Sequence, residues 1–284
     1  MFVCLSTGQS IPCNWNGWYV ILLDMATLIP TVTETKAHLV EMFASVQGEG
    51  PWVGERQIFV RFLGCNLDCL YCDAPETKTK QSRCRIEREP GSWEFDYQDN
   101  PFTTSSLTEA VRTFGAPNLY HSVAVTGGEP LLHHRFLKQW FPLLKSEGHS
   151  IYLETSGELH GRLREVAQWT DYCAMDLKLP SSSGERPMWS EHRIFLDVCK
   201  EFNIPTFAKA VVGANSTDEE IRECARVVAG VWPETVLVLQ PVTPFGQVKE
   251  GPSAAQMLHF QLVAREEARH VRVIPQTHKM LGAL

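Results

Sequence analysis

The chain has 284 residues, of which 44% are hydrophobic and 21% charged, and its formal net charge is -7. That length and balance suit one soluble core domain with extensions, while a pI near 5.8 tells against long contacts with a phosphate backbone, so a small molecule rather than a nucleic acid is the expected partner. Nine cysteines, an odd number and scattered apart from one cluster, do not read as a secreted disulfide framework, and a reducing cytoplasm is the expected location.

Residues 1–36 hold no chemical motif and are read as a variable N-terminal extension, with 37–284 as the core domain. The apolar run from Gly17 to Leu23 is interrupted by Asp24 and falls short of the roughly 20 residues that span a bilayer. No basic segment precedes it, so neither a membrane anchor nor a signal peptide is expected. A flanking strand is predicted at Leu39 to Ala44, and the first of six repeating strands at Gln57 to Leu63. Ser106-Leu107-Thr108-Glu109 has the form of a capping box. The apolar Leu107, Ala110, Val111 and Phe114 then follow at helical spacing before Gly115.

Next come a strand at His121 to Thr126, a helix through Phe136, Leu137, Trp140, Phe141 and Leu144, and a strand at Ser150 to Glu154. A helix around Leu159, Leu163, Val166 and Ala167 leads to a strand at Tyr172 to Lys178. Helices over His192 to Phe202, Thr217 to Gly230 and Ser253 to Arg269 alternate with strands at Thr206 to Val212, Thr235 to Gln240 and Val271 to Ile274. This alternation predicts parallel βα units and an α/β fold, a partial (β/α)6 barrel with ligands gathered at the carboxyl ends of its strands. The charged stretch 78–100, with Pro90, Gly91 and Trp93, breaks the rhythm and is read as an inserted, solvated surface excursion.

The chemistry-bearing residues fall in three places. Cys65, Cys69 and Cys72 stand C-x3-C-x2-C after the apolar run ending at Leu63. Three thiols on one loop, with no matching pair downstream, are one ligand short of a closed site. A [4Fe-4S] cluster with one iron left open fits them best; a zinc knuckle or three buried thiols are the alternatives. Thr126-Gly127-Gly128-Glu129-Pro130 follows a strand. Its glycines let a ligand approach the backbone, and Glu129 can order the turn or accept from an amine; a plain tight turn is the other reading. Ahead of the cysteines, Gln47, Glu49 and Arg61 offer donors, acceptors and a planar fork suited to a heterocycle bearing an acid. A flexible loop with a surface ion pair would look the same.

The motif order from Glu41-Met42-Phe43 through Gln47-Gly48-Glu49-Gly50, Gly64-Cys65-Asn66-Leu67, Tyr71-Cys72-Asp73, the T-G-G-E-P turn, Met175-Asp176-Leu177-Lys178 and Gln276-Thr277-His278-Lys279 resembles the 7-carboxy-7-deazaguanine synthase family of the radical S-adenosylmethionine (SAM) superfamily. The resemblance runs from Leu39 to Leu284, apart from the insertion. It implies the radical SAM type of partial barrel and the conversion of 6-carboxy-5,6,7,8-tetrahydropterin to 7-carboxy-7-deazaguanine with loss of ammonia. In that chemistry SAM is cleaved to a 5'-deoxyadenosyl radical that takes a hydrogen from the substrate. The product enters queuosine or other 7-deazapurine biosynthesis.

By that resemblance Cys65, Cys69 and Cys72 bind the cluster. Tyr71, Asp73, Gly128, Asp176, Lys178, Gln240 and Pro241 contact SAM, and Val46, Gln47, Gly48, Arg61, Thr126 and Leu284 contact the substrate. His278 and Lys279 are of the right type to close over an anion. A donor such as flavodoxin or ferredoxin would supply the electron, and a homodimer is implied. One departure matters: the family commonly places Asp-Thr or Asp-Ser after the last cysteine, its hydroxyl ligating Mg2+, whereas here Asp73 is followed by Ala74. Mg2+ use is therefore expected to be weakened or lost unless water, Asp73, Glu76 or Thr77 substitutes. A radical SAM activase of a partner protein and a non-catalytic metal-binding module are the competing functions. Cys173, Cys199 and Cys224 fall inside predicted elements and read as small buried hydrophobes, and no second ligand set for an auxiliary cluster is visible.

Overall fold

The structure is a computed structural model that describes residues 34–283; the readings placed on residues 1–33 and on Leu284 lie outside the described residues. Its strands and helices are β1 (Lys36–Ala37), β2 (Leu39–Val46), β3 (Arg56–Phe62), β4 (Arg83–Glu87), β5 (Phe95–Asp99), β6 (Phe102–Thr103), α1 (Thr104–Arg112), β7 (Ser122–Gly127), α2 (His134–Ser146), β8 (Ile151–Thr155), α3 (His160–Val166), β9 (Tyr172–Asp176), α4 (Pro180–Ser183), α5 (Trp189–Glu201), β10 (Thr206–Val212), α6 (Asp218–Val231), β11 (Val236–Pro241), α7 (Ala254–Arg265) and β12 (Val271–Val273). Ten strands form one sheet in the order β12-β11-β10-β9-β8-β7-β3-β2-β4-β5. From β3 to β12 every neighbouring pair is parallel, and β2 joins β3 antiparallel. Among the described residues no strand pairing joins β12 to β5, so the partial barrel stays open.

Alternation along each strand builds two cores. Ile58, Val60, Val123, Val125, Ile151, Leu153, Cys173 and Met175 point outward, where Phe136, Leu137, Trp140, Phe195, Val228 and Phe260 of the helices cover them. The residues between them face inward: Phe43, Phe59, Ala124, Tyr152, Ala174, Phe207 and Val238 form a separate buried cluster, joined by Trp52, whose ring meets Tyr152, Tyr172 and Phe207 edge-on at 5.2 to 5.6 Å. This apolar plug fills the amino-terminal half of the barrel and leaves the carboxyl end for polar groups.

The predicted strands are present, with small shifts at their ends. Helix α1 differs in its start. Thr103 rather than Ser106 is its cap, accepting from Ser106 N at 3.1 Å while Ser106 Oγ accepts from Thr103 N at 2.9 Å. The short strand β6 delivers Thr103 in the extended conformation that a cap needs, which moves the box three residues upstream. Helix α5 begins at Trp189 rather than His192, and α7 stops at Arg265 rather than Arg269. The box at Thr217 and Glu220 closes as predicted.

The stretch 78–100 is largely exposed, as a surface excursion should be, but it is built as strands rather than as an irregular loop. Strand β4 pairs parallel with β2, and β5 returns antiparallel, so the hairpin widens the main sheet. Cys84 and Ile86 bury into the outer core. Buried Glu87 accepts from Ala44 N at 2.8 Å, Gly91 N at 3.0 Å and Trp93 N at 2.9 Å, which fastens the hairpin turn to β2. Among the described residues no helix is long and apolar enough to cross a membrane.

Candidate active site

One step of alternation beyond the apolar plug, the inward positions turn polar: Arg61 after Phe59, Thr126 after Ala124, Glu154 after Tyr152, Asp176 after Ala174, Lys209 after Phe207 and Gln240 after Val238. All six line one cavity at the carboxyl ends of the strands. The same cavity is lined by Val46, Gln47, Gly48 and Glu49 after β2, by Cys65, Cys69, Tyr71, Cys72 and Asp73, by Gly128 and Lys178, and by Gln276, His278 and Lys279. Pro241, which ends β11, is not among the lining residues: alternation turns it away while Gln240 and Val242 face in.

The cysteine loop is pinned at both ends by backbone bonds. Gly64 N donates to Thr77 O at 2.7 Å, Glu129 N to Gly64 O at 2.8 Å, and Leu70 N to Ser183 O at 2.9 Å. The three thiols are free and partly buried. Burial pushes the Cys65 and Cys69 thiols up, and the ammonium of Lys178 opposes this at both. Such thiols gain when a metal takes the proton's place. A loop that presents three free thiols to an open cavity therefore fits an iron-sulfur cluster with one position left for a ligand.

The glycine pair serves the chain itself. A Cβ on Gly127, whose φ is +143°, would lie 2.3 Å from Phe62 O, and one on Gly128 would lie 2.3 Å from Gly64 O and 2.7 Å from Cys65 Cβ. Only glycines let this turn lie flush on the cysteine loop. Glu129 orders the turn rather than facing a ligand. Fully buried, it accepts from Leu131 N at 2.9 Å, Thr155 Oγ1 at 2.9 Å, Ser156 N at 2.8 Å and Ser156 Oγ at 2.7 Å.

Charge in the cavity is arranged as a chain. Lys178 pairs with Asp176 at 2.7 Å, Lys209 lies 3.2 Å from the same carboxylate, and Lys209 also pairs with Glu49. Burial raises Glu49 and Asp176, but their lysine partners outweigh it and hold both below the ordinary carboxylate range. Glu154 goes the other way: burial, then the nearby charge of Glu49, raises it. Gln47 Nε2 donates to Glu154 at 2.9 Å, and Gln47 Oε1 accepts from Glu49 N at 2.9 Å. Arg61 uses Nε to bind Glu41 at 2.7 Å, which leaves its terminal nitrogens for a planar anion. Around this cavity, Gln240 Oε1 and Asp176 Oδ1 are buried acceptors without a hydrogen-bond donor among the described residues, and the hydroxyls of Tyr71 and Tyr152 are likewise without a partner there. The 3.2 Å contact of Asp176 Oδ1 with Lys209 is thus an ion pair without hydrogen-bond geometry.

The carboxyl-terminal segment crosses the mouth. Thr277 N donates to Gly48 O at 2.9 Å, Gln276 Nε2 to Glu49 at 2.8 Å and to Asp73 at 3.3 Å, and Lys279 pairs with Asp73 at 3.3 Å. The ring of His278 occupies the place that a side chain on Gly48 would fill. Of the groups that could replace the missing hydroxyl at Ala74, Thr77 is spent on Ala74 O at 2.7 Å and, like Glu76, does not line the cavity; Asp73 does.

Sequence reasoning passed over Glu154 and Lys209. The signal was available: each is a charged residue at an inward position of an otherwise apolar parallel strand, in the same row as Arg61 and Asp176.

Residues 59–228 match the family model described as the Radical SAM superfamily. The chain is 42% identical over 250 residues to 7-carboxy-7-deazaguanine synthase of Geobacter sulfurreducens, covering 87% of this chain and 98% of the relative. It is 34% identical over 274 residues to the enzyme of the same name from Methanothermobacter thermautotrophicus, with the same coverage. Among solved structures, QueE from Escherichia coli superposes with a TM-score of 0.58 at 23% identity, covering 86% of this chain and 95% of that one. SuiB of Streptococcus suis, solved bound to S-adenosylmethionine, does so with a TM-score of 0.51 at 15% identity, covering 74% of this chain and 48% of that one. The two structures share the fold. The chain is a member of the radical SAM superfamily, whose enzymes hold a [4Fe-4S] cluster and SAM. Within that superfamily it belongs to the 7-carboxy-7-deazaguanine synthase family.

Proposed function

We propose that the chain converts 6-carboxy-5,6,7,8-tetrahydropterin to 7-carboxy-7-deazaguanine with loss of ammonia, in queuosine or related 7-deazapurine biosynthesis. The observation that carries this reading is the single cavity in which three free thiols face a row of Arg61, Thr126, Glu154, Asp176, Lys209 and Gln240. When bound, the cluster and SAM supply the radical that removes a hydrogen atom from the substrate. The residues divide by place. Cys65, Cys69 and Cys72 hold the cluster; Tyr71, Asp73, Gly128, Asp176, Lys178 and Gln240 serve SAM; Val46, Gln47, Gly48, Arg61 and Thr126 serve the substrate.

Donor and acceptor chemistry supports this division. Gln240 Oε1, which has no donor among the described residues, and Asp176 Oδ1, which has the ion pair with Lys209 but no hydrogen bond, suit the amine and ribose hydroxyls of SAM. Arg61 suits the substrate carboxylate. Glu154, held toward its neutral form by burial, and Gln47 beside it can meet the mixed donor and acceptor edge of a pterin. An activase acting on a protein would need an open mouth, whereas Gln276 to Lys279 span this one. With Ala74 bearing no ligand atom and Thr77 already engaged, Mg2+ dependence is weak or absent. On the same reading the protein works in the cytoplasm as a homodimer and takes its electron from a donor such as flavodoxin or ferredoxin.

Anaerobically reconstituted protein, reduced with dithionite and supplied with SAM, should consume the pterin, and Cys72→Ser should consume none. Consumption of the pterin by the variant at the wild-type rate would overturn the assignment.

A further inference from the structure

Lys78 has no part in the SAM or substrate sites just assigned, yet it lines the same cavity as Cys65, Cys69 and Cys72. It ends the short turn Pro75–Lys78 beyond the cysteine loop. That turn is held by the bonds of Thr77 Oγ1 to Ala74 O at 2.7 Å and of Gly64 N to Thr77 O at 2.7 Å. Its ammonium pairs with Asp68, which lies inside the loop between Cys65 and Cys69. Lys178 addresses Cys65 and Cys69 from the β9 side, but it is committed to Asp176.

We propose that Lys78, tempered by Asp68, sets the reduction potential of the cluster carried by Cys65, Cys69 and Cys72, an inference that rests on the cluster reading above. A thiolate-ligated cluster gains negative charge when it takes up an electron. A fixed cation beside it stabilises the reduced form and raises the potential, and an anion lowers it. Lys78 lines the cavity of the thiols and pairs with the carboxylate of Asp68, so removal of either partner changes the net charge seen by the cluster, with opposite sign. The Lys78 side chain is 29% exposed and that of Asp68 95%, so both effects are screened by salt.

The experiment is an anaerobic redox titration of the reconstituted full chain without SAM, followed by the electron paramagnetic resonance signal of the reduced cluster, with iron and sulfide counted in each sample. Lys78→Gln is expected to move the midpoint to a more negative value and Asp68→Asn to a more positive one, and both shifts should shrink as salt is raised. If Lys78→Gln loads no cluster, Asp68→Asn reads the same effect with the other sign. Normal iron and sulfide with unchanged midpoints would overturn the inference alone. Failure of the wild-type chain to take up iron and sulfide would overturn the cluster reading and the inference with it.

Discussion

Replacing Lys209 with methionine removes the ammonium that serves two carboxylates, those of Glu49 and Asp176, each about one-fifth exposed. Asp176 keeps Lys178 at 2.7 Å, but Glu49 is left with only the amides of Gln240 at 3.0 Å and Gln276 at 2.8 Å. Removing one partner of a buried ion pair costs about 3–5 kcal/mol. Because Lys178 and both amides remain, the lower end, about 3 kcal/mol, is expected near neutral pH. The sign of the pH dependence follows from Glu49. In the wild type its pKa is lowered: burial raises it, but Lys209 outweighs the burial. Its contribution to stability is therefore present above the ordinary carboxylate range and is lost as pH falls through the lowered value. Without Lys209 burial prevails, the pKa rises, and the variant relieves its deficit by taking up a proton on acidification. Urea unfolding of the anaerobic apoprotein at about pH 7.5 and about pH 5 should show a gap between wild type and variant that narrows at the lower pH. A loss below about 1 kcal/mol at neutral pH, or a gap that widens on acidification, would refute the reasoning.

Three further outcomes are expected. Gly48→Val places a side chain where the ring of His278 sits, 1.9 Å from its Nδ1, and so displaces the segment bound through Thr277; steady-state kinetics should show a raised KM for the pterin with an unchanged circular dichroism spectrum, and an unchanged KM sinks the idea. Glu129→Gln turns one acceptor oxygen into a donor facing either the N–H and O–H of Ser156 at Oε2 or the N–H of Leu131 at Oε1, a loss of about 1–3 kcal/mol readable as a lower denaturant midpoint. Chelation of divalent ions should leave most of the activity; activity lost on chelation and restored only by Mg2+ would contradict the reading of Ala74.

How far the sequence could be read depended on whether a signal was local. The parallel strands announced themselves by apolar runs between helix caps, and the cysteines by spacing alone. Glu154 and Lys209 were harder, since a charged residue in a strand becomes a site residue only when the sheet brings it to the cavity, as register sets Lys209 beside Asp176. The hairpin at 78–100 looked solvated because Glu87, Arg85 and Asp99 read as surface charge. Most of it is indeed solvated; its pairing with β2 and the bond of Ala44 N to Glu87 are what no local pattern encodes. The hold of Thr277 and His278 on Gly48 is more distant still.

The most direct test of the account is anaerobic incubation of the reconstituted, reduced protein with SAM and 6-carboxy-5,6,7,8-tetrahydropterin, with products followed by mass spectrometry. The account predicts 7-carboxy-7-deazaguanine and ammonia. Cleavage of SAM to 5'-deoxyadenosine with the pterin left intact would contradict the assigned substrate.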